Sequence, residues 1–283
     1  MSNNKSIKYQ VQGILREKLA IGESRHKAKA DKNDSDKIFS WSTYNNYVKV
    51  CTEFGKWAKN KYGEKSIVNS RKYVPDYLNY RISKNLSAWT VALDASALAK
   101  LYNCKSNDFG VDLPERKRAD IKRSRSGVKG FDEKKHEVIV GFCKATGVRI
   151  SELRMLKKSD MILKEEHWYV HIAQGKGGKE RIAPTLEEYK PLIDKLVEPL
   201  KPDEKLFKPK EIPDRLPCHQ YRAYYAKTQY NRLARDVNEI SRNNRYVCRN
   251  DKKGTVYDKK AMLEVSRMLG HNRIDVIASH YLY

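Results

Sequence analysis

The carboxyl-terminal half of the chain holds a nucleophile, several cations and a proton donor in an order that suits metal-free cleavage of a phosphodiester. Such a displacement needs an attacking oxygen, positive charge around the non-bridging oxygens and an acid for the departing 5′ oxygen. Arg149 lies in Ala145-Thr-Gly-Val-Arg-Ile-Ser-Glu-Leu, a glycine-preceded helix start where Arg149 and Glu152, three residues apart, share a face. Glu152 is therefore placed to orient the Arg149 guanidinium. In His219-Gln-Tyr-Arg222 the same spacing sets an imidazole beside a second guanidinium, whose planar fork matches phosphate oxygens. Lys176, at the tip of Gln174-Gly-Lys-Gly-Gly-Lys-Glu-Arg, carries its ammonium on a long flexible stem and suits a general acid. His271 follows Leu269-Gly270 at another helix start. Tyr281 comes ten residues later as the favoured nucleophile, with Tyr283 as the alternative. A phenol ionises near about pH 10, so the cations must favour its phenolate as well as the phosphate. Alone, Arg-x-x-Glu is usually a surface ion pair, His-x-x-Arg arises by chance in basic chains and Gly-Lys-Gly-Gly is usually only a turn. Chance agreement of the whole series in this order is remote.

The elements that must position these groups follow from periodicity. Beyond Phe131 the pattern is mixed. Helices are predicted over 138–146 and after Arg149, then a strand at His167-Trp-Tyr-Val-His-Ile-Ala and a glycine-rich turn into Arg181-Ile-Ala-Pro. Helices return near 186–200 and 220–240, a second hairpin spans 246–257, and two helices follow. Upstream, Ser42 or Thr43 can cap a helix that carries Tyr47, Val48, Cys51, Phe54 and Trp57 on one face and ends at Gly63. Further helices over 74–84 and 89–102 complete a small bundle, with the aromatics Trp41, Tyr44, Tyr47, Trp57 and Trp89 read as core. Residues 1–35 are polar and basic apart from a short amphipathic stretch (Ile7, Val11, Ile14, Leu15, Leu19), and read as a mobile arm. The organisation is then an arm over 1–35, a helical domain over 36–104, a basic linker over 105–130 and a mixed domain over 131–283. The fold class is mainly α, with small β-sheets and hairpins in an α+β second domain. Linker cations Arg118, Lys122 and Arg123 can follow a phosphate backbone or form a solvated hinge. Lys179 and Arg181, beside Lys176, are further candidates for DNA contact.

Composition narrows the partner. Lysine and arginine number 58 against 35 aspartates and glutamates in 283 residues, a formal charge of +23 and a pI near 9.7. That excess favours a polyanion. With a mean hydropathy of −0.79 and no apolar run near the roughly 18 to 20 residues of a membrane helix, a membrane is not the expected partner. The first residues lack a secretory signal, so the cytoplasm is the expected compartment. Five widely spaced cysteines without a C-x-x-C pair read as reduced thiols, and neither metal nor cofactor is called for. Charge alone does not separate DNA from RNA, but no RRM-like or KH-like signature is present.

Taken together, Thr146-Gly-Val-Arg-Ile-Ser-Glu-Leu, Gly175-Lys-Gly-Gly-Lys-Glu-Arg, His219-Gln-Tyr-Arg, Leu269-Gly-His and the closing tyrosine resemble the tyrosine recombinases. That family includes integrases of phages and conjugative elements, chromosome-dimer resolvases and invertases, and the resemblance runs from about Trp41 to Tyr283. It implies a helical core-binding domain and a catalytic domain that clamp double-stranded DNA at specific recombination sites. It also implies cleavage through a 3′-phosphotyrosine, a homotetramer on synapsed DNA and room for an accessory DNA-bending protein. By this resemblance Arg149 and Arg222 hold the scissile phosphate, Lys176 protonates the 5′ oxygen, His219 accepts the tyrosine proton, His271 donates to a phosphate oxygen and Tyr281 attacks. The wording around Gly270-His-Asn-Arg-Ile-Asp-Val-Ile-Ala-Ser-His-Tyr is closest to integrases encoded by mobile elements. The gap from His219 to His271 is longer than the family habit, and the 246–257 hairpin fills it, touching DNA or a neighbouring subunit. The rivals are a type IB topoisomerase-like relaxing enzyme and a catalytically idle DNA-binding regulator.

Overall fold

Residues 1–121 and 122–283 form two units, and the computed structural model describes residues 5–33, 36–117, 130–176, 178–249 and 252–282. The first unit is helical: α1 (Ile7–Arg16), α2 (Arg25–Ala30), α3 (Trp41–Tyr62), α4 (Val74–Ser83) and α5 (Ala88–Leu101). Serine hydroxyls open four of these helices, with Ser6, Ser24, Ser40 and Ser87 each accepting the backbone N–H three residues on. Each cap satisfies a donor that the first helical turn leaves unpaired. Ser40 takes this role in place of Ser42 or Thr43, and Gly63 ends α3 in the left-handed conformation (φ +72°). Val11, Leu15, Cys51, Phe54, Leu78 and Leu98 are wholly buried together.

Two boundaries differ from the sequence expectation. The amino-terminal segment is not a mobile arm from end to end, because Ile7, Val11 and Leu15 line one face of α1 and are buried in the core beside α3. Burying that stripe offsets the entropy of ordering the segment. The linker also begins later than residue 105, since Phe109 is buried in the same core and Val111 and Leu113 pack against it. Of the aromatics expected inside, Tyr44 is buried, and Tyr47 and Trp57 pack against the core. Trp41 and Trp89 are exposed instead. Residues 118–129, and with them Arg118, Lys122 and Arg123, lie outside the described residues.

The second unit joins helices to two small antiparallel sheets. Helices α6 (Glu137–Thr146) and α7 (Ile150–Leu153) lead into strands β1 (Met161–Lys164), β2 (His167–Ile172) and β3 (Arg181–Pro184). The strands lie in the order β1-β2-β3, with Met161 opposite Val170 and Ile172 opposite Arg181. After α8 (Lys190–Val197) comes α9 (Cys218–Leu233), which ends seven residues short of the expected Ile240. The second hairpin pairs β4 (Arg245–Val247) with β5 (Val256–Asp258), and α10 (Lys259–Met268) and α11 (Ile274–His280) follow. One apolar cluster gathers Phe142, Val148, Leu153, Val170, Ala183 and Ile193 around the three-stranded sheet. A second joins Tyr225, Met262, Val265, Leu269 and Ile277 between α9, α10 and α11. No helix among the described residues is long and apolar enough to cross a membrane.

Candidate active site

Arg149 occupies the N-cap of α7, held there by Glu152 in a reciprocal pair. The Glu152 carboxylate accepts the Arg149 backbone N–H at 2.9 Å and its Nη1 at 2.7 Å. Gly147 makes the approach, with φ +61° and a Cβ position that would fall 2.7 Å from the Tyr225 ring, so only glycine fits this turn. The same carboxylate accepts Arg181 Nη1 at 3.0 Å and Nη2 at 2.7 Å. Burial would push the Glu152 carboxyl up, but the hydrogen bonds and charge of Arg181, followed by those of Arg149, outweigh it and hold it at about 2.

This geometry corrects the place given to Arg181. It is 8% exposed, its guanidinium is engaged by Glu152, and its stem lies against Gly270, where a Cβ would fall 3.3 Å from Arg181 Cδ. Arg181 therefore supports Arg149 and the turn before His271, and is not turned outward for a DNA phosphate. Spacing along the chain carries no sign of this, because residues 152 and 181 belong to different elements. Lys179 is exposed on the hairpin.

Arg222, on the first turns of α9, is wholly buried, and backbone carbonyls satisfy it. Nη1 donates to Gly147 O at 2.5 Å, and Nη2 donates to Leu269 O. Arg149 Nη2 reaches the same Leu269 carbonyl at 3.5 Å. The two guanidiniums flank His271, with Nη2 atoms 3.4 Å and 3.5 Å from its Nε2. Ser266, also buried, fixes that turn by accepting the Arg273 N–H at 2.8 Å and donating to the Arg273 carbonyl at 2.9 Å. Sequence reasoning missed Ser266, because a serine near the end of a helix carries no local signal of its partner.

Tyr281 follows α11 and is buried in this cluster. Its hydroxyl accepts a hydrogen bond from Arg222 Nε at 3.1 Å and lies 3.1 Å from His271 Nε2. Burial first, then the charges of Arg222, Arg149, Lys176 and Arg181, bring the His271 imidazole down to about 4. It is neutral at neutral pH, so Nε2 can accept the phenol proton. The resemblance gives that proton to His219, yet the structure sets His271 against the phenol instead. His219 is exposed at the start of α9 and makes no hydrogen bond to another described residue. Its imidazole is likewise lowered, by burial and then by Arg222, Arg149 and Lys176. Lys176 is exposed on the β2–β3 turn and also makes no hydrogen bond among the described residues. That turn is closed by Gly175 N–H donating to Lys179 O at 2.9 Å. Tyr283 lies outside the described residues.

The arrangement sets Arg222 and His271 against the Tyr281 phenol and Arg149 on the same imidazole, with the Glu152 carboxylate held behind Arg149, while the charge of Lys176 reaches both His271 and His219. Such a cluster can bind a phosphate and polarise it towards attack by the phenol. Among the described residues no three His, Cys, Asp or Glu side chains gather as a metal site would require.

Comparison with known proteins bears on the fold and the family. The fold is similar to the XerH site-specific recombinase bound to palindromic difH substrate in a post-cleavage complex, with a TM-score of 0.55, 15% identity, and 97% of this chain and 91% of that chain covered. It is similar to XerH in a pre-cleavage complex with difH, with a TM-score of 0.53, 15% identity, and 98% and 92% covered. It is also similar to the Tn1549 transposon integrase in complex with transposon right end DNA, with a TM-score of 0.51, 14% identity, and 99% and 95% covered. A comparison with curated proteins returned no match. At these identities the structures speak for the fold alone. The phage integrase family model matches residues 126–282, more than half of the 283, and the chain belongs to that family, the tyrosine recombinases.

Proposed function

We propose that the protein is a site-specific recombinase of double-stranded DNA, the integrase of a mobile element, and that it cuts and rejoins strands through a 3′-phosphotyrosine on Tyr281. One observation carries the reading: the Tyr281 hydroxyl lies 3.1 Å from both Arg222 Nε and His271 Nε2, with Arg149 on the same imidazole. A phenol held between a guanidinium donor and a neutral imidazole acceptor is poised to lose its proton as it attacks. In this scheme the Tyr281 oxygen bonds to phosphorus and its proton passes to His271. Arg149 and Arg222 neutralise the non-bridging oxygens, and the bond to the 5′ oxygen breaks as Lys176 protonates it. The phosphotyrosine keeps the energy of the broken bond, so the released 5′ hydroxyl, or that of a partner duplex, can reverse the step. The helical first unit serves as the core-binding domain and the second unit as the catalytic domain. Synapsis of two sites requires a homotetramer, and an accessory DNA-bending protein can assist. Support for the mobile-element role comes from the wording around His271 and from the fold shared with a transposon integrase.

The test is covalent trapping. The protein is incubated, with EDTA, on nicked duplexes drawn from the DNA that flanks its gene, and the products are run on denaturing gels. The wild type is expected to form a denaturation-resistant adduct that Tyr281→Phe abolishes, and that Arg222→Ala lowers by on the order of 10² to 10³. Specific binding without an adduct would overturn the reading in favour of an idle regulator.

A further inference from the structure

We propose that the β4–β5 hairpin is a positioning element for the nucleophile, with Tyr257 and Lys252 gripping the Leu282 carbonyl and thereby fixing the direction of Tyr281. The proposal rests on Tyr281 being the attacking residue, and it names what aims that residue. Helix α11 has only seven residues and ends before Tyr281, whose backbone has left the helical conformation (φ −125°, ψ −32°). The N–H groups of Tyr281 and Leu282 both donate to Ile277 O, at 3.0 and 3.1 Å, so one carbonyl serves two donors. The short helix alone is thus a weak mount for a side chain that must hold an in-line geometry.

The hairpin supplies the missing anchor. Tyr257 Oη donates to Leu282 O at 2.7 Å, and Lys252 Nζ donates to the same carbonyl while lying 3.4 Å from the Tyr257 hydroxyl. The grip is only as firm as its base, and the base is built into α9. The Tyr257 ring packs edge-on against Tyr230, with centroids 5.6 Å apart, and the Asp258 N–H donates to the Tyr230 hydroxyl at 2.9 Å. The wholly buried Asp258 carboxylate accepts Arg235 Nε and Nη2, each at 2.8 Å, and caps α10 by accepting the Lys260 N–H at 2.9 Å. Tyr230 lies on the helix that carries Arg222, so a single element bears the guanidinium that touches the Tyr281 hydroxyl and the ring that supports the grip on its backbone. The phenol is aimed from both ends by groups of its own chain. The hairpin edge that sequence reasoning assigned to DNA or a neighbouring subunit has this inward task.

The test uses the full chain. Tyr257→Phe removes one hydroxyl and keeps the ring stack, and Lys252→Met removes the ammonium and keeps the stem. Single-turnover adduct formation on a nicked duplex is expected to slow about fivefold in Tyr257→Phe and about twentyfold in the double variant, with the Kd for the same duplex within about twofold of wild type. Hydrogen exchange of the amides over 277–282 in the DNA-free protein is expected to rise, while α9 and α10 stay unchanged. Equal rates and unchanged exchange would sink the proposal. A loss confined to Kd would overturn it by assigning the hairpin to DNA, and a rise in exchange spread across the second unit would overturn it by marking a merely structural role. A wild type that forms no adduct counts against the recombinase reading, and the exchange data then decide on the grip by themselves.

Discussion

The two sides of the site are built differently. On one side Arg222, Glu152 and Arg181 are buried and Arg149 is 12% exposed; each arginine is engaged by a carbonyl, a carboxylate or the tyrosine, and Glu152 by two of the arginines. On the other, Lys176 and His219 are exposed and make no hydrogen bond among the described residues. Buried ions must be paired because an unpaired one costs several kcal/mol, whereas an exposed ammonium keeps its water. The inner side is therefore satisfied within the chain itself, and in the proposed mechanism the outer side acquires its partners from the substrate. In that mechanism, positioning falls to the inner side and delivery of the proton to the 5′ oxygen falls to the outer.

The largest expected effect separates the two sides by stability. Glu152→Gln removes the charge that two arginines share, and should lower unfolding free energy by about 3 kcal/mol or more, measured by urea titration. Adduct formation should fall with it, by on the order of 10². A variant as stable as wild type would show that the inner side is not held by this carboxylate. Lys176→Ala tests the converse. Stability should change by less than about 0.5 kcal/mol, while cleavage slows by on the order of 10². A duplex with a bridging 5′ sulfur, whose thiolate leaves without an acid, should restore the rate. No restoration would remove Lys176 from the acid role.

The smallest effect contrasts the two imidazoles. His271 is held at about 4 in the folded chain, against about 6.5 when unfolded, so the folded state binds fewer protons between those values. Its stabilising contribution is present above about pH 6.5 and is lost as pH falls through that window. His219 shifts in the same direction. His271→Gln should flatten the fall in unfolding free energy between pH 7 and 5 more than His219→Gln does. The reverse order would mean that His271 is not the inner imidazole.

Much of this was legible in the sequence wherever the signal is local. Gly63 and Gly147 mark the left-handed ends of α3 and α6, the Arg149–Glu152 spacing gives the reciprocal cap, and the two hairpins follow from their turn residues. What was not legible depends on distant partners. α1 shows in the sequence only as a short amphipathic stretch within a basic segment, and it becomes a core helix because α3 offers a surface to its three-residue stripe. β1 has four residues, Met161-Ile-Leu-Lys, too few to show alternation without β2 beside it. Arg181 resembles any basic residue of a DNA-facing turn until Glu152 is seen across from it. The choice of His271 over His219 for the phenol is made by the turn after α10, which Ser266 closes.

The shared carbonyl of Leu269 has one more consequence. Both guanidiniums already spend a donor on this uncharged oxygen, so part of their hydrogen-bonding capacity is met by the chain itself. It carries its own placeholder. In the proposed mechanism a phosphate that takes up those donors enters by substitution, replacing a neutral acceptor with an anionic one, and the net gain is the difference between the two. A polypeptide oxygen thus sets the threshold that an incoming ligand must exceed, and a weakly charged oxygen would leave the cluster as it stands.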